Sequence, residues 1–235
     1  MSILYITGAG VSAESGIPTF RGKDGFWTIG SVNYTPQEMA TRAMYLTHPD
    51  EFLLWYFRRF ASYRHIQPNN VHDWLAGKKL ITQNIDDLHE RAGSRKVLHL
   101  HGEITKSRST LDPSLVYQIK GTEIKVGDTC TKGSQLRPHI VWFGEELDSS
   151  DVNTAVKAAE ECDFCIIVGT SLQVSPANEI PFLTDFKTPV YYIEPSKIDM
   201  LMYDIPDYKL PYFHHVQKDA TKGMQYIFNQ LNKQI

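Results

Sequence analysis

Short apolar runs that alternate with segments of helical spacing constrain the fold of this chain more than any other feature of its sequence. Several of the runs are continuously apolar, which is typical of strands covered on both faces of a sheet. Because strands that alternate with helices form parallel sheets, the pattern predicts an α/β fold with a doubly wound parallel sheet. The predicted strands are Ile3–Thr7, Leu80–Thr82, Val97–Leu100, Ile140–Phe143, Phe164–Val168, Val190–Ile193 and Phe213–Val216.

Two helices are indicated by apolar residues spaced three and four apart. The first is Asp151–Glu161, with Asp151 or a neighbouring serine as its N-cap, and the second is Ala220–Leu231. Each of them precedes or follows a predicted strand, as a doubly wound sheet requires.

Two other segments interrupt the alternation. The first is helix-prone and rich in aromatic side chains, whereas the second is polar and has few apolar anchors. We interpret both as insertions that together form a smaller lobe at one edge of the sheet. The predicted division is a Rossmann-like domain of residues 1–29, 70–103 and 137–235 and an inserted lobe of residues 30–69 and 104–136.

Composition excludes several classes of function. The 235 residues include 24 Lys and Arg and 27 Asp and Glu, and a net charge of −3 offers no broad cationic surface for nucleic acid. No apolar stretch approaches the roughly 18 residues that span a bilayer, and the first residues lack the basic region of a secretory signal. We therefore expect no nucleic-acid partner, no membrane association and a cytoplasmic location. The sequence does not indicate the oligomeric state.

A glycine-rich turn follows the first predicted strand. Gly8, Ala9 and Gly10 lie between Ile3–Thr7 and a short helical segment, where backbone N–H groups can hold a phosphate. A tight strand-to-helix turn without a ligand is the alternative. The usual dinucleotide fingerprint also has an acidic residue about 20 positions later at a strand end. Asp24 instead lies in a loop, so a dinucleotide in the ordinary orientation is not indicated.

Five motifs, in order, resemble those of the sirtuins, the NAD-dependent protein deacylases. Together with a matching strand–helix tail they cover nearly the whole catalytic core of that family. The resemblance implies that NAD and an acylated lysine of a protein or peptide bind between two lobes. The motifs are Ser12-x-x-Ser15-Gly16-Ile17-Pro18-Thr19-Phe20-Arg21-Gly22, Thr82-Gln83-Asn84-Ile85-Asp86-Asp87-Leu88-His89, Leu100-His101-Gly102-Glu103, Arg137-Pro138-His139-Ile140-Val141-Trp142-Phe143-Gly144-Glu145 and Gly169-Thr170-Ser171-Leu172-Gln173-Val174-Ser175-Pro176-Ala177.

The resemblance assigns cofactor-binding roles along the chain. The amides of the glycine turn would cradle the NAD pyrophosphate, Phe20 would shield the reacting ribose, and Arg21 would contact the phosphates. A planar guanidinium can bind two phosphate oxygens at once. A surface ion pair is the alternative for Arg21. The full cofactor set is Gly8, Ala9, Gly10, Ser12, Glu14, Phe20, Arg21, Gln83, Gly169, Thr170, Ser171 and Ala220.

The family pattern makes His101 the general base. Imidazole is the side chain whose unperturbed pKa lies nearest neutrality, and this histidine directly precedes Gly102 in the third motif. Asn84 and Asp86 complete the catalytic set, around the nicotinamide ribose and carboxamide. Both follow a predicted strand, at the edge where α/β sheets bind ligands, although capping of a helix is an alternative role for either.

The fourth motif indicates where a peptide would bind. We expect the substrate to add as an extra strand between Val141–Glu145 and the loop at Ser175–Asn178. The contact residues implied are Val141, Phe143, Gly144, Glu145 and Val174. Core packing is the alternative role for Trp142 and Phe143.

A Tyr-x-x-Arg pair indicates the acyl group. Tyr56 and Arg59 share a helix face at this spacing and resemble the pair that binds succinyl and malonyl groups in one sirtuin subclass. Arg59 would bind the distal carboxylate and the phenol of Tyr56 would donate a second bond. Arg58 and Arg64 lie on the same segment, so a solvated basic face is the alternative.

Two features depart from the family pattern. Most sirtuins bind a structural zinc through two cysteine pairs, but Cys130 is the one cysteine between the third and fourth motifs, so we predict no zinc. Cys162 and Cys165 have zinc-like spacing but enter a predicted strand, where cysteine acts as a small apolar residue. Tyr192 is placed where the family usually has an asparagine that holds the adenosine ribose.

The resemblance thus predicts an NAD-dependent lysine deacylase that releases nicotinamide and O-acyl-ADP-ribose and accepts succinyl or malonyl as well as acetyl lysine. NAD hydrolysis or mono-ADP-ribosyl transfer in the same cleft is the alternative. A non-catalytic NAD-binding module is a third hypothesis, which the presence of His101, Asn84 and Asp86 disfavours.

Overall fold

The structure, a computed structural model, describes residues 1–19, 34–121, 123–198, 203 and 205–231, without the side chains of Pro36 and Arg59. Its helices are α1 Ala9–Ala13, α2 Pro36–Met39, α3 Arg42–Thr47, α4 Pro49–Tyr63, α5 Asn70–Leu75, α6 Leu88–Arg91, α7 Ser149–Glu160 and α8 Ala220–Leu231, with 3₁₀ helices at Ile180–Leu183 and Asp207–Tyr212. Its strands are β1 Ile3–Thr7, β2 Lys79–Thr82, β3 Val97–His99, β4 Gly102–Ser109, β5 Val116–Gln118, β6 Leu136–Ile140, β7 Phe164–Val168, β8 Val190–Ile193 and β9 Phe213–Val216.

The larger sheet has the strand order β3-β2-β1-β7-β8-β9, and all of its pairs are parallel. The order reverses between β1 and β7, which leaves a crevice at the carboxyl ends of these two strands. Ligands of open α/β sheets bind at such a switch point. This sheet confirms the predicted doubly wound, Rossmann-like fold.

Helices cover both faces of this sheet because successive strand residues point to opposite sides. On one face, Leu4 of β1 packs with Ala155 and Ala159 of α7. On the other face, Tyr5 of β1 packs with Met224 of α8. Continuous apolar runs are therefore needed in the central strands, as the sequence indicated.

A smaller lobe contains the antiparallel sheet β5-β4-β6 and packs it against α4. Phe52 of α4 and Ile104 of β4 are both almost fully buried in this third core, together with Trp142. The presence of a smaller lobe is confirmed. Its sheet runs from Gly102 to Ile140 and so crosses the limits that the sequence suggested, while the division into domains stays a prediction.

Two local predictions were wrong. The strand expected at Ile140–Phe143 is β6, which ends at Ile140 and belongs to the antiparallel sheet, because Trp142 turns into the core of the smaller lobe instead of continuing the strand. The N-cap of α7 is Asp148 rather than Asp151 or a serine. Its Oδ1 accepts hydrogen bonds from Ser150 N at 2.9 Å and Asp151 N at 3.2 Å.

Polar side chains connect the end of β4 and the loop that follows it with the segment that precedes β6. Lys132 Nζ lies 2.8 Å from Asp112 Oδ2, and the hydroxyls of Ser109 and Ser134 are 2.6 Å apart. The hydrogen bond from Lys132, with a second from Ser114, lowers the pKa of Asp112 to about 2. Among the described residues, no group of three or more His, Cys, Asp and Glu side chains could hold a metal. The absence of zinc stays a prediction.

Taken over the described ranges, no helix is both long and apolar enough to cross a membrane.

Candidate active site

A cavity of about 1140 Å³ lies at the carboxyl ends of β1, β2, β7 and β8. Its opposite wall comes from the smaller lobe, which contributes Trp55 and Trp142 among others. The cavity brings together most of the residues that the sequence singled out. These are Ala9, Gly10, Glu14, Tyr56, Gln83, Asn84, His101, Val141, Phe143, Gly144, Glu145, Gly169, Thr170, Ser171, Val174 and Ala220.

The other predicted residues fall into two groups. Ser12 and Asp86 are buried behind the cavity wall with Gly8 and do not line it. Phe20 and Arg21 lie outside the described residues, as does the side chain of Arg59, whose backbone belongs to α4. The predicted roles of the latter three remain predictions.

The glycine turn packs directly on the start of the loop after β7. The amides of Gly8 and Gly10 donate to Val168 O at 3.1 Å and Gly169 O at 2.7 Å. A Cβ on Gly10 would lie 2.7 Å from Gly169 Cα, and Gly169 itself has a φ of +71°. Close backbone packing thus explains why glycine is needed at these positions. The amides of Gly8 and Gly10, two of the three expected to bind pyrophosphate, already donate to carbonyls within the protein. The Ala9 amide is in the first turn of α1, where N–H groups have no acceptor within the helix.

A buried hydrogen-bond network joins the glycine turn to the loop after β2. Asn84 Nδ2 donates to Gly8 O and to Ser12 Oγ, each at 3.1 Å, and Ser12 Oγ donates to Asp86 Oδ2 at 2.9 Å. Asp86 also accepts from Leu88 N at 3.1 Å. Since both amide hydrogens of Asn84 are used inside the protein, the group it can present to the cavity is its side-chain carbonyl. Asp86 does not line the cavity and instead supports its wall, because its carboxylate accepts hydrogen bonds from Ser12 and from the start of α6.

The surroundings of His101 favour its neutral imidazole form. Its Nδ1 lies 3.0 Å from Gln83 O, and since a carbonyl accepts only, Nδ1 carries the hydrogen, which leaves the lone pair of the neutral ring on Nε2. Burial lowers the pKa of His101, and the bond to Gln83 O opposes this only in part. A neutral ring with a free lone pair is the form that accepts a proton at neutral pH.

Neutral polar groups line the cavity between His101 and β7. Thr170 Oγ1 donates to Gln83 Oε1 at 3.2 Å, while Gln83 Nε2 is enclosed and has no hydrogen-bond partner among the described residues. Buried donors are normally paired, so this unsatisfied amide at the cavity wall fits a site that takes a polar ligand. Hydroxyl, amide and imidazole groups suit the ribose hydroxyls and the carboxamide of NAD.

The expectation for Tyr192 was wrong. Its side chain is fully buried and its hydroxyl donates to Thr170 O at 2.8 Å, behind the cavity wall. The carboxyl end of β8 instead brings Ile193 and the polar residue Glu194 to the cavity. The rule that ligands bind at strand ends could have identified Glu194, as it did Asn84.

At the far end of the cavity, α1 is tied to α8. Glu14 accepts hydrogen bonds from the backbone N–H and the hydroxyl of Thr221, the former at 3.0 Å. Asp219 begins α8 by accepting from Lys222 N at 2.8 Å, next to Ala220. Glu14 therefore supports this end of the site through a contact that its sequence position did not indicate.

The segment predicted to bind peptide is a turn instead of a strand. The amides of Val141 and Phe143 donate to His101 O at 2.9 Å and Ala40 O at 3.0 Å. Glu145 lines the cavity, but its carboxylate accepts from Arg137 at 2.5 and 2.9 Å and from Arg108 at 3.1 Å. The Glu145 carboxylate thus holds the turn in place. The sequence motif that contains both residues did not indicate that Arg137 pairs with Glu145.

On the smaller lobe, Tyr56 closes one side of the cavity. Its ring packs 4.7 Å from that of Phe52 and 4.8 Å from that of Trp55, centroid to centroid, and its exposed fraction is 4%. Trp55 also lines the cavity, although the sequence did not single it out as a site residue. Aromatic walls of this kind suit an aliphatic chain such as that of acylated lysine.

Comparisons with known proteins show the family of this chain. The family model described as Sir2 family matches residues 8–176. An NAD-dependent protein deacylase of Bacteroides thetaiotaomicron is 37% identical over 235 residues, covering 95% of both chains, and NAD-dependent protein deacylase 1 of Archaeoglobus fulgidus is 43% identical over 189 residues, covering 77% of this chain and 76% of the relative. A solved Sir2 homologue in complex with NAD is 36% identical, with a TM-score of 0.81 and coverage of 99% of this chain and 90% of that one. A Sir2 structure with a deacetylated p53 peptide and 3′-O-acetyl ADP ribose is 27% identical, with a TM-score of 0.77 and coverage of 97% and 93%.

Proposed function

Because this chain belongs to the Sir2 family and is an NAD-dependent protein deacylase, we propose that it transfers the acyl group of acyl-lysine to ADP-ribose and accepts succinyl and malonyl as well as acetyl groups. The observation that carries the proposal is that one cavity is lined both by the glycine turn and by His101. Bound NAD supplies a ribose carbon whose bond to nicotinamide can break and an ADP-ribose that can accept the acyl group.

The chain's own residues would orient the reactants and handle the proton. The Nε2 of His101 accepts a proton from a ribose hydroxyl. The hydrogen bond to Gln83 O keeps Nδ1 protonated and fixes the orientation of the ring. Asn84 offers a side-chain carbonyl that Gly8 and Ser12 hold in place. The wall from the smaller lobe excludes bulk water, so that the acyl group and the ribose react with each other.

The partner would be an acylated lysine on a protein or peptide. The relative solved with a p53 peptide supports this class of substrate. In our proposal, backbone groups of residues 141–145 and of the loop at Val174 contact the peptide, and Tyr56 packs on the acyl-lysine chain. Contacts to backbone tolerate many peptide sequences, since every peptide offers the same N–H and C=O groups.

Release of nicotinamide should depend on an acylated peptide. Incubated with NAD alone, the protein should release little nicotinamide, and addition of acetyl-, malonyl- or succinyl-lysine peptide should start release together with deacylated peptide in equal amounts. Mass spectrometry of both products checks this. Nicotinamide released equally well without peptide would contradict the proposal and favour NAD hydrolysis or ADP-ribosyl transfer.

The Tyr-x-x-Arg pair should set the preference for acidic acyl groups. Loss of a charge-assisted bond costs about 1.5–3 kcal/mol, so Arg59→Met should lower kcat/KM for a succinyl peptide by roughly 10- to 150-fold. Activity on an acetyl peptide should stay close to that of the wild type, because the acetyl group has no distal carboxylate. Arg58→Met, at an exposed position of the same helix, is the matched control. Equal losses on both peptides, or no loss on either, would contradict this acyl preference.

A further inference from the structure

Every backbone carbonyl from Thr82 to Ile85 is held by the chain segment that carries His101. Two of the four donors are backbone amides and two are imidazole nitrogens. The loop that presents Gln83 and Asn84 to the cavity is therefore fixed along its whole length. The bonds run from Leu100 N to Thr82 O at 3.0 Å, from His101 Nδ1 to Gln83 O at 3.0 Å, from His99 Nδ1 to Asn84 O at 2.8 Å and from Ile104 N to Ile85 O at 2.8 Å.

His99 is the less obvious of the two imidazoles, because it lies outside the cavity. Its side chain is 5% exposed, and its Nε2 lies 2.9 Å from Glu90 Oε1. Both of its partners are acceptors, so both ring nitrogens donate. Burial alone would lower the pKa of His99, but the bonds to Glu90 and to Asn84 O raise it. A doubly donating ring tied to α6 at one end is a rigid support for Asn84.

We propose that His99 is a positioning residue for deacylation. Its Nδ1 fixes the backbone carbonyl of Asn84, while Glu90 fixes the ring through Nε2. This inference rests on the proposed function. The side-chain amide of Asn84 in turn donates to Gly8 O and Ser12 Oγ. Movement of the loop after β2 would therefore shift both Gln83 O, which orients His101, and the glycine turn. Displacement of a catalytic group by about 1 Å lowers turnover on the order of 10²-fold.

Two substitutions separate this role from simple filling of the core. In His99→Asn the side-chain amide can replace Nδ1 as donor to Asn84 O, whereas in His99→Gln it replaces Nε2 and reaches Glu90 instead. We expect His99→Gln to lower kcat roughly 10- to 100-fold with little change in the KM of the peptide, and His99→Asn to recover most of that loss. Thermal unfolding of both variants is measured in parallel.

The outcomes are distinguishable. Equal kcat values for the two variants, or kcat values that follow their unfolding temperatures, would overturn the role of His99. Should His99→Gln fail to fold, His99→Ala, which removes both ring bonds, takes its place and should lower kcat below that of His99→Asn without raising the KM of the peptide. An unchanged kcat there would also overturn the role. A wild-type protein without peptide-dependent nicotinamide release would instead contradict the proposed function.

Discussion

Replacing His101 by alanine should lower kcat/KM for an acylated peptide by roughly 10²- to 10⁴-fold, the usual contribution of a positioned general base. The neutral ring has its Nδ1 hydrogen fixed by Gln83 O, so the substitution removes an oriented proton acceptor and leaves the remaining cavity wall in place. Steady-state assays at saturating NAD check this. His65→Ala, at an exposed histidine outside the cavity, should leave turnover close to that of the wild type and is the matched control.

The pH dependence of kcat/KM should also reflect the titration of His101. Since burial lowers the pKa of His101, the base stays deprotonated to a lower pH than a free histidine would, and the acid limb of kcat/KM should have its midpoint below about 6.5. An alanine variant with full activity would refute the role of His101. An acid limb at higher pH would contradict the neutral, buried ring described above.

The sequence predicted the larger sheet well because its signals are local. The predicted limits of β1, β7, β8 and β9 are the observed ones, and helix α8 begins and ends as its spacing predicted. The structure of the smaller lobe was harder to predict from the sequence. Its core comes from residues far apart in the chain, such as Phe52, Ile104 and Trp142, so no single window showed that residues 104–136 are anchored.

The motifs located the site but could not assign contacts within it. Gly8 and Gly10 are required because their backbones touch Gly169, a contact between distant chain segments that spacing does not reveal. Likewise, the sequence suggested Glu145 as a peptide contact but did not indicate that its carboxylate binds Arg137. Local pattern thus identifies which residues meet at a strand end, and tertiary contact decides what each one binds.

Arg137 shows how much of the site depends on such a contact. Its side chain is 8% exposed and binds both oxygens of Glu145, while Nη2 also donates to Ile140 O at 2.7 Å. The guanidinium lies 3.1 Å from the centroid of the Trp142 ring. Burial raises the pKa of Glu145, but hydrogen bonds from Arg137 and the Trp142 amide, together with the charges of Arg137 and Arg108, keep the pKa below its usual range. Arg137 therefore holds the turn at residues 141–145 by charge, hydrogen bonds and stacking together.

Arg137→Met should lower the free energy of unfolding by about 3–5 kcal/mol, because the substitution removes a buried guanidinium and leaves a partly buried carboxylate without its bidentate donor. Arg108, 3.1 Å from the same carboxylate, favours the lower end of that range. Urea denaturation followed by circular dichroism measures the change. In the double variant Arg137→Met/Glu145→Gln the unpaired charge is gone, so part of the loss should be recovered. Lys132→Met, which breaks a solvent-exposed pair, should have a much smaller effect. A single variant as stable as the wild type, or a double variant no more stable than the single one, would mean that the ion pair does not hold this turn.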